Sequence, residues 1–426
     1  MSEQTFHVAI IGGGIGGLCL AQGLKKAGVS VAVYERDESV SSRPQGFRIH
    51  IDPQGSTALH QCLPENLWRI FDTTGGDFGH GFSVATERLQ ELLSVRAEGG
   101  PVDPIARHRS ISRITLRRVL LAGLEEIVHF RKRFMRYEEM PDGRFRAHFE
   151  DGGTAMADVL VAADGVNSPV RKQYLPDADP VDTGVLGLGS RVPLSDGAMA
   201  LAPDRLLDGP VMVIPPEPCS LFMAIWKRSQ QAGPALRELG IDRPITGDEN
   251  YIILGLGGQA SYLGLGHDAH TLPSRELKDV LRRTVAHWHP NIRKLAEMTD
   301  EAEMSANRIR TSRPPAPWQT TRVTLLGDAI HSMTPYRGIG ANIALKDAAL
   351  LCSKLDEAHR GERPLLDAIA KYEESMRDYG FAAVEASRKS MMQAIGEKKT
   401  PAFQIAKAAM RVVNRVPALK RKLMPV

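Results

Sequence analysis

Three stretches of the 426-residue chain concentrate residues that can hold a charged ligand. Gly12, Gly14 and Gly17 stand in the spacing G-x-G-x-x-G, and Glu35 closes the next apolar run. Asp164-Gly165 is followed by Ser168 and Arg171. Gly327-Asp328 leads through His331 and Pro335 to Gly338, Gly340, Ala341 and Asn342. In the first stretch, Gly12 permits a tight turn, Gly14 lets the backbone approach a pyrophosphate, and Gly17 lets helix and strand pack closely. An acidic residue where Glu35 stands can accept both hydroxyls of a ribose, which favours a nucleotide without a 2′-phosphate there. Dinucleotide binding follows from this group; the residues alone leave NAD and FAD open.

Each group needs an element to place it. Val8 to Ile11 is all apolar, as expected of a strand buried on both faces of a parallel sheet. Leu18 to Lys26 has helical spacing, Gly28 ends that helix, and Val29 to Tyr34 returns as a second strand. The helix N-terminus offers free N–H groups and partial positive charge to phosphates. Phe47, Ile49 and Ile51 alternate with polar residues as a half-buried strand, and Pro53 and Gly55 open a helix. Arg113 begins an amphipathic stretch carrying Leu116, Leu120 and Leu124. Val159 to Ala162 is another buried strand, so Asp164 lies just past a strand's C-terminal end, where open α/β sheets bind ligands. The run from Val323 to Leu351 reads as strand, loop and long apolar helix. Between them, "VMVIPPEPCSLFMAIW" and "YIILGLGG" are short strand-like runs without alternating helices, which predicts a second, mainly antiparallel domain.

Bulk properties exclude several classes. A net charge of +4 with 24% charged residues does not argue for nucleic acid. Cys19, Cys62, Cys219 and Cys352 are widely spaced without a C-x-x-C pair, which fits a reducing cytoplasm and neither a disulfide framework nor a zinc knuckle. No signal peptide and no membrane-spanning run are expected. His267, His270, His287 and His289 lack a carboxylate or cysteine at ligand spacing, so no metal site is assigned.

In order, G-x-G-x-x-G at Gly12, D-G-x-x-S-x-x-R at Asp164 and G-D-A-x-H-x-x-x-P-x-x-G-x-G-x-N at Gly327 resemble the single-component FAD-dependent monooxygenases, the group A flavoprotein hydroxylases related to p-hydroxybenzoate hydroxylase. The resemblance runs from about residue 6 to about residue 375. It implies an α/β fold with a Rossmann-like, doubly wound and mainly parallel FAD-binding domain (1–80, 105–182 and 305–375), an antiparallel-sheet substrate domain (81–104 and 183–304) and C-terminal helices. It implies FAD as cofactor, NADPH or NADH as reductant, and insertion of one oxygen atom of O2 by hydroxylation or epoxidation through a flavin C4a-hydroperoxide. An FAD-dependent oxidase or reductase without oxygen insertion, or a non-catalytic FAD-binding redox sensor, is the alternative.

Residue by residue, the resemblance implies that Glu35 holds the adenosine ribose and Arg113 reaches the FAD phosphates. Asp164 would serve FAD and, indirectly, NAD(P)H, Asp328 would hydrogen-bond the ribityl chain, and Gly46 would lie beside the flavin. Pro335 would sit near the isoalloxazine ring, while Gly338 and Gly340 bring the backbone of Ala341 and Asn342 to its pyrimidine edge. The helix starting there would aim its positive end at the charge on reduced flavin. On the central sheet, Arg191 is expected to orient a substrate oxygen, with Met212, Ile214, Met223 and Trp226 as apolar contacts. The substrate is expected to be a bulky aromatic, polyketide or terpenoid molecule. Residues 376–426 are basic: from Phe381 onward ten Lys or Arg face two Glu. That segment could close the active site, join a homodimer, or touch a membrane surface.

Overall fold

The computed structural model describes residues 5–39, 47–76, 79, 81–96, 103–241, 249–266, 268–396, 400–416 and 419. Gly46 and His267 lie outside the described residues. The strand His7–Ile11 is the centre of a five-stranded parallel sheet, and Val8, Ala9 and Ile10 have no exposed surface. On one side come Ser30–Tyr34 and Val128–His129; on the other come Val159–Ala162 and Val323–Leu325. The chain therefore reverses its direction of travel around His7–Ile11, and the crevice beyond the C-terminal ends of these strands is where such sheets bind ligands. Glu35, Asp164 and Asp328 each follow a different one of those strands.

Two helices close this sheet tightly because glycines let them. The helix Ile15–Lys26 packs against the long helix Gly340–His359, and a β-carbon on Gly16 would stand 2.7 Å from the Leu326 side chain. A β-carbon on Gly17 would overlap the Gly12 carbonyl. The same packing brings together cysteines that are far apart in sequence. A β-carbon on Gly23 would lie 2.7 Å from the Cys352 sulfur and 3.1 Å from that of Cys62, and Cys19 adjoins Cys62. All four cysteines are free thiols.

A seven-stranded sheet forms the second layer. Its order is Ser305–Thr311, Val181–Pro193, Tyr251–Gln259, Cys219–Trp226, Val211–Val213, Gly81–Ala85 and Glu91–Arg96. All pairings are antiparallel except that of Val211–Val213 with Gly81–Ala85. The expected boundaries of 183 and 304 need correcting. Both edges extend, since Val181 pairs with Thr311 and Ser305–Thr311 is an edge strand of this sheet, not part of the nucleotide layer. One face carries Leu186, Leu188, Leu221, Leu254 and Leu256 onto the helices Ser274–Val285 and Pro290–Glu297. The other face looks toward the parallel sheet's crevice.

The C-terminal part crosses both layers. The helix Leu365–Ile395 packs along Gly340–His359, and its last residues, Met391, Ala394 and Ile395, reach Val185 and Ile309 of the seven-stranded sheet. The helix Pro401–Arg415 then lies on Glu91–Arg96. Asn414 donates to Glu91 (2.7 Å) and accepts from the Ser94 N–H (3.0 Å). Among the described residues no helix is long and apolar enough to cross a membrane.

Candidate functional site

The glycine turn and Glu35 form one unit. Glu35 is buried, and its carboxylate accepts from the Gly13 N–H (2.6 Å) and the Asp37 N–H (2.9 Å). Gly12 has φ +109°, and a β-carbon there would overlap the Ala163 carbonyl, so only glycine lets the turn pass this close to Asp164. At Gly14 a β-carbon would meet nothing nearer than 4.0 Å among the described residues, which leaves that backbone open toward the crevice. This is the space a phosphate needs.

Asp164 and Asp328 face the crevice from neighbouring strands. Asp164 Oδ1 is buried without a partner among the described residues, while Oδ2 takes the Val170 N–H at 3.4 Å. Burial pushes this carboxyl up to about 6, although Ser168 and Arg171 pull the other way. Arg171 ties the two motifs together: it is 1% exposed and donates to the carbonyls of Ala329 (2.9 Å) and Val166 (3.0 Å). Asp328 is reached by solvent through the crevice yet enclosed by protein elsewhere. That enclosure raises its carboxyl, against the pull of His331 and Arg113. Arg113 itself is exposed at the start of its helix, near enough to Asp328 for its charge to act there.

The turn holding Asp328 is fixed from behind by a buried cluster that sequence reasoning did not find. Asp347, with no exposed surface, accepts from the Gly327 N–H (2.7 Å) and the Tyr379 hydroxyl (2.6 Å) and sits 2.7 Å from His331 Nε2. Burial alone would lower the His331 pKa, but the Asp347 carboxylate outweighs it and the ring is raised.

Pro335 is exposed at the head of the short turn Pro335–Arg337, and Gly338 ends that turn at φ +63°. The first bond at the start of Gly340–His359 runs from the Ile343 N–H to the Ile339 carbonyl. The N–H groups of Gly340, Ala341 and Asn342 precede it and have no acceptor within the helix. The Asn342 side chain is already engaged, donating to the His50 carbonyl (2.9 Å) and accepting from the Asp52 N–H (3.0 Å). It thereby anchors the strand Arg48–Ile51 to the helix start. On that strand His50 Nε2 lies 2.7 Å from His108 Nδ1, and burial, His108 and Arg48 push His50 down to about 3.

On the facing sheet the five expected residues do not form one group. Arg191 is 5% exposed, with its guanidinium over the rings of Phe47 (5.0 Å) and Tyr251 (4.6 Å) and 3.5 Å from Glu303. Trp226 shares that face and packs with Tyr251 and Ile253. Met212 and Ile214 cluster with Val84 and Leu92 beneath Phe403 and Met410 of the C-terminal helix. Met223 points the other way, into the core under the helices, with no exposed surface. It is removed from the substrate contacts: residues 223 and 226 are three apart on one strand and must face opposite sides. Missed were Tyr336, whose hydroxyl is 3.5 Å from Ser220 Oγ, and the glycines beneath it. A separate cavity of about 440 Å³ lies beside the helix Leu365–Ile395, lined by Thr311, Ser312, Arg313, Phe381 and Arg388. No residue expected at the site is among those lining it.

The crevice fits a flavin dinucleotide on its own features: a turn only glycine can make, a buried Asp164 oxygen without a partner among the described residues, and a helix start whose first N–H groups have no acceptor within the helix. Comparison with known proteins agrees. A family model described as an FAD binding domain matches residues 270–387, and one described as an NAD(P)-binding Rossmann-like domain matches residues 10–74. A solved structure from Photorhabdus luminescens, described as an FAD-containing monooxygenase, superposes with a TM-score of 0.81 at 34% identity, covering 93% of this chain and 100% of that one. A dual O-methyltransferase/FAD-dependent monooxygenase of Cercospora beticola is 28% identical over 93% of this chain and 47% of its own length. A protein of the same description from Phaeosphaeria nodorum is 30% identical over 82% of this chain and 40% of its own. The chain thus spans less than half the length of these two relatives.

Proposed function

The chain belongs to the group A FAD-dependent monooxygenases related to p-hydroxybenzoate hydroxylase, and from that premise we propose that it inserts one oxygen atom of O2 into a bulky, apolar, ring-bearing small molecule. NADPH or NADH is the reductant, and bound FAD supplies the oxygen chemistry. The observation that carries this reading is the convergence of Glu35, Asp164, Asp328 and the start of Gly340–His359 on one crevice opposite an apolar sheet face.

In this reading Glu35 holds the adenosine ribose, Gly12, Gly14 and Gly17 admit the pyrophosphate, and Arg113 meets its charge. Asp328 accepts hydroxyls of the ribityl chain, while Asp164 closes the pyrophosphate end. The N–H groups at Ala341 and Asn342, with the helix's positive end behind them, would hold the flavin ring and stabilise negative charge on its reduced form, and Pro335 would help to enclose it. Arg191 serves as a positioning residue, since its charge is engaged by Glu303 and two aromatic rings. The helix Pro401–Arg415 covers the Met212 end of the cleft, which helps exclude water. Its outer side leaves Ile405 and Val412 exposed beside Arg411 and Arg415, which suits brief contact with an anionic membrane surface or a second copy. Four free thiols agree with a cytoplasmic site of action.

The test is NADPH and NADH oxidation by the purified yellow protein, with peroxide measured, across phenols, quinones and prenylated compounds. A compound that speeds reduction and lowers peroxide yield supports the reading. Bound flavin whose reduction no compound accelerates would count against it.

A further inference from the structure

Two glycine pairs lie side by side on the sheet face that looks into the cleft. Gly187 pairs with Gly257 and Gly189 with Gly255, without a register shift. Alternate residues of a strand share a face and paired residues of adjacent strands lie side by side, so all four point the same way. They make a patch free of side chains, about 4.8 Å across neighbouring strands and about 6.8 Å along them. Glycine weakens a strand interior and marks places where something approaches the backbone closely. Four together need a reason.

The protein itself supplies the reason at two of them. A β-carbon on Gly189 would come within 2.9 Å of the Phe47 ring, and one on Gly257 would overlap the Tyr336 hydroxyl. Phe47 and Tyr336 both belong to the flavin layer and rest on diagonal corners of the patch. Arg191 pins the Phe47 ring, and Ser220 stands 3.5 Å from the Tyr336 hydroxyl. The other two corners are unexplained by the fold. Among the described residues, a β-carbon on Gly187 would meet nothing closer than Ile309 at 3.6 Å, and one on Gly255 nothing closer than Phe222 at 3.7 Å, both ordinary contacts. Neither glycine has positive φ, and both are partly open to the cleft. Among the described residues, nothing stands in the way of an alanine at either position.

We propose that Gly187 and Gly255 are specificity-determining residues, left bare so that a flat, fused multi-ring substrate can lie on the backbone between Phe47 and Tyr336. This rests on reading the cleft as a monooxygenase site. A planar ring system lies against the two uncovered corners, and a methyl group at either position lifts one edge of it. A single ring can slide clear of that methyl group; a fused system held at both ends cannot. Burial keeps the Tyr336 phenol protonated, so it remains a donor for an oxygen at the substrate's edge.

The experiment compares the native holoenzyme with Gly187→Ala and Gly255→Ala, using hydroxybenzoates, naphthols and hydroxyanthraquinones as probes. Binding is read from the perturbation of the flavin spectrum, and turnover from KM, kcat and peroxide yield. In both variants, the dissociation constant and KM for the fused-ring probes are expected to rise at least tenfold more than those for the single-ring probes, with kcat changed less. Equal effects on all ring sizes would overturn the proposal, as would no effect in either variant. Native protein that binds fused rings selectively, by a preference the alanines abolish, but never oxygenates them would leave the slot standing and remove the monooxygenase reading. Melting temperatures of the FAD-bound variants within a few degrees of native are expected, because neither methyl group clashes; a collapse in stability would overturn the claim that the fold leaves these positions free.

Discussion

Asp328 illustrates how a single side chain is prepared for a polar ligand. It stands at the C-terminal end of a buried strand, enclosed enough for its carboxyl to be raised and still open to the crevice. A hydrogen bond to a charged group contributes about 1.5–3 kcal/mol, so Asp328→Ala is expected to weaken FAD binding roughly 10- to 100-fold, read by flavin fluorescence titration. Unchanged affinity would remove Asp328 from the cofactor site. Asp164 yields a pH prediction. Its carboxyl is raised to about 6 by burial, so the folded chain holds that proton more tightly than the unfolded chain. The stability this adds is present at low pH and is lost as pH rises through about 6. In the FAD-free protein, Asp164→Asn should therefore gain on the native chain by roughly 3 kcal/mol between about pH 4 and pH 7, measured by denaturant unfolding. A constant difference across that range would contradict the assignment. These carboxylates were legible in sequence because each ends an apolar run. Asp347 was not, since nothing in the middle of a helix announces that its partners are Gly327, His331 and Tyr379.

Between elements, that same Asp347 couples the helix Gly340–His359 to the turn that carries Asp328. Asp347→Ala leaves the Gly327 N–H, the Tyr379 hydroxyl and His331 without their common acceptor in a buried place. Breaking such a cluster costs about 3–5 kcal/mol, to be measured by unfolding, whereas Tyr379→Phe, which removes one hydrogen bond to the carboxylate, should cost about 1.5–3 kcal/mol. Because Gly327 precedes Asp328, the alanine variant should also bind FAD more weakly without touching it. Strand register explains what sequence reading gained and lost. Four strands of the parallel sheet were readable because they are mainly apolar, whereas the two-residue edge strand Val128–His129 was not. The facing sheet carried a plain signal that went unread: L-G-L-G stands at 186–189 and again at 254–257, leucines for the core face and glycines for the cleft. A third L-G-L-G at 263–266 lies outside any strand, so the pattern specifies a face only where strands pair. The same parity separates Met223 from Trp226.

Across the whole molecule, the proposed function draws on two sheets. One brings three carboxylates, a glycine turn and a helix start to a single crevice; the other offers a smooth apolar wall, with Phe47 and Tyr336 bridging the gap. The order of the three motifs made the first layer and its cofactor legible. The wall was only partly legible, because residues that line it come from strands 181–193, 219–226 and 251–259, whose neighbours are set by long-range pairing. The C-terminal helix was readable as amphipathic, but not its seat on Glu91–Arg96, which depends on Asn414 meeting Glu91 and Ser94. The most direct measurement of the central claim is turnover under isotopically labelled O2 with a compound that accelerates flavin reduction, followed by mass spectrometry of the product. One labelled oxygen atom per product molecule, matched to one NAD(P)H consumed, is the expected result. NAD(P)H consumption with all oxygen recovered as hydrogen peroxide, for every compound that binds, would contradict it.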